Sequence, residues 1–313
     1  MADPFHPELI VQNAPLAPGF FDGFQERLIA LDQGEIFCRI AGSGPPLLLL
    51  HGYPQTSAMW HRLAPALAQE FTVIAADLRG YGRSFKPEST PDHAPYSKRA
   101  MATDMVEVMA ALGYPRFVIG AHDRGARVAH RLAADHPERV AALAILDIAP
   151  TREMYAQAGT AFATAYWHWY WLIQPAPFPE KLIQADPDWF WCKKCCSGLA
   201  GATPFARQAL EEYLSAFRDP ASIHATCEDY RAAASMDIAQ DDADPSKLSM
   251  PLLALWGRNG AIEAHFDCLA LWRLRASKVD GHALPGGHYL AEECPEQVLS
   301  EWLPFLRTHA AAV

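Results

Sequence analysis

What this 313-residue chain lacks narrows the field before any motif is considered. No apolar run approaches the roughly 18 residues that a membrane-crossing helix requires, so no spanning segment is expected. No block of lysines or arginines occurs, and the formal net charge is -10. The chain therefore has no electrostatic footprint for nucleic acid or for an anionic membrane surface, and neither is an expected partner. The first twenty residues, MADPFHPELIVQNAPLAPGF, lack the basic stretch and apolar core of a secretory leader. A cytoplasmic location is the expectation.

An even cysteine count is missing too. Seven cysteines fit reduced thiols better than a disulfide framework. Cys192, Cys195 and Cys196 lie in WCKKCC, and a C-x-x-C pair is half of a zinc site. No second pair or H-x-H partner lies nearby, and at helical spacing the thiols can pack as small hydrophobes. No metal and no cofactor is expected.

What is present is a large apolar fraction, 50% of the residues, enough for a sizeable core. ERLIALD and EIFCRIA around Gly34 predict a hairpin, and PLLLLH, FTVIAAD, RFVIGAHD and VAALAILDI predict buried strands. Helical apolar spacing separates them near 57–70, 97–113 and 124–136. Continuous apolar strands alternating with helices imply a mostly parallel sheet covered on both faces, an α/β fold. After Pro150 the strand signal disappears into aromatics and helix formers until PLLALWG at 251–257, followed by a weak strand near 277–283 and a last helix after Pro295. The expected organisation is a core of 1–150 and 246–313 with a helical cap of 151–245 inserted into it.

Within this frame one turn carries chemistry. GAHDRGARVAH follows an apolar strand, opens a helix, and sets small residues two places either side of Asp123. That is the spacing of a nucleophile elbow, a tight turn that lifts its central side chain above the sheet. The same aspartate could simply cap the helix. Asp147 ends the strand VAALAILDI and His288 sits in the glycine loop PGGHYLAEE. Functional groups of open parallel sheets gather at the strands' carboxyl ends, so Asp123, His288 and Asp147 can meet as nucleophile, base and orienter. HGYP at 51–54 follows another strand. In this architecture the N–H groups of Tyr53 and Arg124 are candidates for an oxyanion hole; a plain Gly-x-Pro turn is the alternative.

With HGYPQT, DLRGYGRS, GAHDRGARVAHRLA and LDIAPT in place, residues 26 to 308 resemble the α/β-hydrolase superfamily, in its branch of haloalkane dehalogenases, epoxide hydrolases and haloacetate dehalogenases. HDRGAR, with WHWYW, QPAP and CEDYRA, is similar to the fluoroacetate dehalogenase family. The resemblance implies hydrolytic dehalogenation of a short 2-haloacid by water, through an aspartyl ester on Asp123. It implies that Arg124 and Arg127 hold the substrate carboxylate, that His168, Trp169 and Tyr230 surround the leaving halide, and that the chain forms a homodimer.

Elementary chemistry agrees with those roles. A serine that displaced halide would be left as an inert ether, whereas an aspartate is left as an ester that water can cleave. A 2-haloacid repels an approaching carboxylate unless cations offset its charge, and guanidiniums do so with fixed bidentate geometry. Arg127 could instead serve a salt bridge, and the aromatics of WHWYW could be core packing. An epoxide hydrolase with the same Asp/His/Asp set, and a catalytically silent binding protein on the same fold, are the competing readings.

Overall fold

A computed structural model describes residues 3, 5–196, 203–311 and 313; residues 197–202 of the expected cap lie outside the described residues. One sheet of eight strands organises the chain: β1 (Gln25–Ala30), β2 (Glu35–Ala41), β3 (Pro46–Leu50), β4 (Thr72–Ala76), β5 (Phe117–His122), β6 (Val140–Leu146), β7 (Leu248–Gly257) and β8 (Ala276–Leu284). Their spatial order is β1-β2-β4-β3-β5-β6-β7-β8. β1 and β2 form the expected antiparallel hairpin, β2 meets β4 antiparallel, and every pairing from β4 to β8 is parallel. Strands β3 to β6 are buried throughout because helices cover both faces, which is why they read as unbroken apolar runs. The expected α/β fold, a mostly parallel sheet flanked by helices, is present.

Helices Lys98–Ala111 and Asp123–Asp135 stand where the apolar spacing places them. The stretch near 57–70 differs: it forms a 3₁₀ helix, Ser57–Arg62, then a single turn, Ala64–Leu67. Pro65 lies at the start of that turn, and the missing N–H together with the restriction on the preceding residue breaks one helix into two pieces. β7 begins at Leu248, three residues ahead of PLLALWG, and β8, at the sheet edge, is buried only at its two ends.

Between β6 and β7 the described residues form only helices, from Thr151–Gln157 to Ile238–Ala243. The chain enters these helices from the carboxyl end of β6, returns to the sheet at the amino end of β7, and is fastened over the loop after β3. Trp191 Nε1 donates to the Pro54 carbonyl at 3.0 Å. Glu212 accepts from Thr56 Oγ1 at 2.7 Å and from Arg39 Nη2 at 2.6 Å. No helix among the described residues is long and apolar enough to cross a membrane. All seven cysteines are free and buried, and no group of three His, Cys, Asp or Glu among the described residues is placed to hold a metal. Cys192, Cys195 and Cys196 pack in the core at the end of helix Pro187–Cys196.

Candidate active site

From β3 the chain crosses to β4 on one side and then to β5 and on to β8 on the other, and the crevice at such a reversal is where open α/β sheets bind ligands. Asp123 stands there, at the carboxyl end of β5, with φ +47°. A left-handed backbone is costly for a side chain larger than hydrogen, and its presence here matches the strained turn of a nucleophile elbow. The glycine two places on is needed: a Cβ on Gly125 would come within 2.4 Å of the His51 carbonyl oxygen. Gly52 is required in the same way, because a Cβ there would meet the Cβ of Asp123 at 2.4 Å. The loop after β3 is thereby pressed onto Asp123. His51 braces this loop, its Nε2 accepting from the Leu78 N–H and its Nδ1 donating to the Gly52 carbonyl, each at 3.0 Å.

The two oxygens of Asp123 have different surroundings. Oδ1 accepts the Tyr53 N–H at 3.0 Å, while Oδ2 lies 3.8 Å from His288 Nε2, beyond hydrogen bonding. Burial raises the carboxyl pKa, but the charges of His288, His122, Arg124 and Arg127 outweigh it and hold the group at about 2. His288 Nδ1 donates to Asp147 Oδ2 at 2.6 Å, and Asp147 Oδ1 accepts the Gly257 N–H at 2.8 Å. Burial pushes the imidazole pKa down, yet the bond to Asp147 and the charges of Asp147 and Asp123 leave it raised. The three residues expected to meet are therefore together, although 165 positions separate Asp123 from His288 in the numbering.

Both arginines are buried rather than turned to solvent. Arg124 is gripped by Asp229, and Arg127 donates from Nη1 to Thr151 Oγ1 at 2.6 Å and contacts Met154 Sδ through Nη2 at 3.3 Å. Each guanidinium keeps a buried N–H with no protein acceptor, at Arg124 Nη1 and Arg127 Nε. This corrects one expectation. The forked Nε/Nη2 edge of Arg124 is occupied by Asp229, so only its Nη1 side is free for a ligand.

The expected halide donors complete the ring. Arg124 lies over the Tyr230 ring at 4.2 Å and Arg127 over the Trp169 ring at 4.8 Å. His168 stacks on Tyr53 with centroids 6.1 Å apart and meets Tyr230 edge-on at 5.8 Å. His168 Nδ1 and the Tyr53 hydroxyl are buried without partners, and burial drives the His168 pKa down, so its ring is neutral at ordinary pH. Trp167, at the edge of this cluster, is exposed. A cavity of about 450 Å³ opens beside His288, lined by Tyr166, His168 and Lys194 among others.

Sequence reasoning missed several members. His122 donates from Nε2 to the backbone carbonyl of His288 at 2.8 Å and pins the His288 loop to the turn at Asp123; its place next to Asp123 was the available signal. Asp229 and Thr151, which orient the arginines, had none beyond adjacency to Tyr230 and to the end of β6. Tyr155 packs its ring against Trp169 at 4.9 Å, with a buried, unpartnered hydroxyl.

Residues 45–293 match the family model for the alpha/beta hydrolase fold. The chain is 47% identical to a fluoroacetate dehalogenase of Burkholderia sp, over 92% of this chain and 96% of that one. It belongs to the α/β-hydrolase superfamily and, within it, to the fluoroacetate dehalogenase family. It is also 34% identical to a soluble epoxide hydrolase of Corynebacterium sp. (strain C12), over 85% of this chain and 91% of that one. A solved structure from Nostoc sp PCC 7120, assigned to the alpha/beta hydrolases, superposes with a TM-score of 0.88 at 52% identity, covering 92% of this chain and 99% of that one.

Proposed function

We propose that the protein hydrolyses short 2-haloacids, such as fluoroacetate or chloroacetate, to the hydroxyacid and halide through an ester on Asp123. The observation that carries this reading is the pair of buried guanidiniums beside a carboxylate nucleophile, each with an unpaired N–H. A buried donor without a partner costs about 1–3 kcal/mol, and more when charged. A ligand anion relieves that cost. A carboxylate bound between Arg124 and Arg127 sets the adjacent carbon against Asp123.

Oδ2 of Asp123, the oxygen not held by Tyr53, attacks that carbon as the carbon–halogen bond breaks. The halide leaves into the donors of His168, Trp169 and Tyr230, which stabilise charge as it develops. His288 then takes a proton from water, and the hydroxide adds to Cγ of the ester. The oxyanion formed on Oδ1 meets the N–H of Tyr53, already 3.0 Å away, and the N–H of Arg124. Collapse breaks the bond between Cγ and the alkyl oxygen and frees the hydroxyacid with the proton from His288. Asp123 is left as a carboxylic acid, which at its low pKa passes the second water proton to His288 and on to solvent and returns to the carboxylate. Asp147 supports the transient imidazolium. Family resemblance supports a cytoplasmic homodimer.

An epoxide hydrolase could use the same Asp123, His288 and Asp147, but a neutral epoxide leaves both arginines unanswered. The deciding experiment measures halide from fluoroacetate and chloroacetate beside diol from styrene oxide. Halide release is expected; diol without halide would discard the proposal.

A further inference from the structure

We propose that Lys194 is the capture point for the anionic substrate, an ammonium on the wall of the cavity beside His288 that draws a short carboxylate inward before Arg124 and Arg127 take it. This deepens the haloacid reading and rests on it for the identity of the natural anion.

The need follows from charge. A chain with formal net charge -10 repels a small anion at long range, and both arginines are buried below the surface. A local cation on the approach is required to offset that field.

Lys193 and Lys194 are neighbours in helix Pro187–Cys196, yet they point to different places. Lys193 is exposed, with its Nζ 4.1 Å from the Phe5 ring centroid. Lys194 is half-buried, lines the 450 Å³ cavity with Tyr166, His168 and His288, and brings its Nζ to 5.8 Å from the Tyr53 ring centroid. That ring in turn stacks on His168.

Lys194 makes no hydrogen bond or ion pair among the described residues, and the undescribed stretch beside it, SGLAGA, contains no acid. Glu293 is the carboxylate on the same cavity, and it is engaged elsewhere: its oxygens accept the N–H groups of Gly287 at 2.6 Å and Tyr289 at 2.8 Å. The charge of Lys194 reaches inward far enough to disfavour protonation of both His168 and His288.

The residue types suit the division of labour. A flexible point charge captures an anion in many orientations and lets it go, whereas planar guanidiniums fixed by protein acceptors impose one. Lys194 then governs the rate of arrival, and the arginines govern the bound pose.

The test is stopped-flow tryptophan fluorescence, reporting on Trp169 and its neighbours, as the full-length enzyme is mixed with acetate, glycolate or neutral acetamide. At about 10 mM salt, Lys194→Met should slow acetate association about three- to tenfold, and the difference should vanish near about 0.5 M salt. Lys193→Met removes the same charge from the same helix and should leave the rate within about a factor of two. Acetamide should be indifferent to both changes. In turnover, kcat/KM for chloroacetate should fall in step with association while kcat holds.

Equal effects of the two substitutions, or none from Lys194→Met, would overturn the capture role even with halide release intact. Lys194-dependent acetate uptake with no halide from chloroacetate would uphold capture and overturn the dehalogenase reading. An enzyme that takes up no acetate at all overturns both.

Discussion

Asp229 grips Arg124 at three points: Nε to Oδ2 at 3.0 Å, Nη2 to Oδ1 at 2.5 Å, and Nη2 to its backbone carbonyl at 2.8 Å. The same carboxylate takes Lys98 Nζ and, at 2.6 Å, the Tyr81 hydroxyl. Tyr230 follows it on helix Pro220–Ala232. One helical turn therefore sets both Arg124 and the Tyr230 ring beneath it, the proposed carboxylate and halide contacts.

Asp229→Asn should raise KM for haloacids about 10- to 100-fold, with a smaller loss in kcat, because the guanidinium loses its fixed plane. It should also destabilise the fold by about 3–5 kcal/mol, since buried Arg124 loses its carboxylate and buried Lys98 keeps only Asp237, at 3.8 Å. Adding Lys98→Met should recover part of the thermal stability without recovering KM. Recovery of both in the double variant would show that Asp229 serves stability alone.

His288→Asn should halt the reaction after the first chemical step. The expected record is a burst of halide close to one equivalent per chain, with a covalent adduct on the Asp123 peptide by mass spectrometry. Asp123→Asn should show neither burst nor adduct. Continued turnover in His288→Asn would remove the histidine from the role of base.

The pH profile should separate the two steps. Asp123, at about 2, is ionised at every practical pH, so the halide burst should be flat from about pH 5 upward. His288 must be neutral to activate water, and its pKa is raised; steady-state turnover should therefore fall as pH drops through that raised value. Part of the rise comes from the Asp123 charge, which disappears in the ester. The pKa read from kcat should lie below the one measured by NMR for the free enzyme, and equality of the two would contradict the ester route.

Stability should carry its own pH signature through Glu292. Its carboxylate is buried, accepting from Gln55 Nε2 at 2.5 Å and from the Tyr213 hydroxyl at 3.2 Å, and burial raises its pKa from 4.5 to about 8. An acid that holds its proton more tightly when folded contributes stability that is complete below about 4.5 and lost as pH rises to about 8. Glu292→Gln should be slightly less stable than wild type at about pH 5 and more stable at about pH 9, with a crossover between. Parallel melting curves for the two proteins would refute the assignment.

Much of this arrangement was readable along the chain. Strands β3 to β6 announce themselves because a strand buried on both faces has no polar side to interrupt it. The elbow is equally local: the small residues at 121 and 125 and the aspartate between them answer constraints within one turn. Asp147 and His288 were reachable by a topological rule, that parallel strands deliver their ends to one edge. The reading faltered at 57–70, where Pro65 overrode the apolar spacing.

Local chemistry in the chain determined that a carboxylate, not a hydroxyl, occupies the strained turn, and that two cations follow it on the same helix. Tertiary structure alone decided what those cations are free to do. Asp229 arrives from 105 residues away to occupy one edge of Arg124, Thr151 holds Arg127, and helix packing turns Lys194 toward the cavity while Lys193 faces out. The physical reason is that a guanidinium's useful direction is set by which of its N–H groups are already bonded, and those acceptors come from elements distant in sequence.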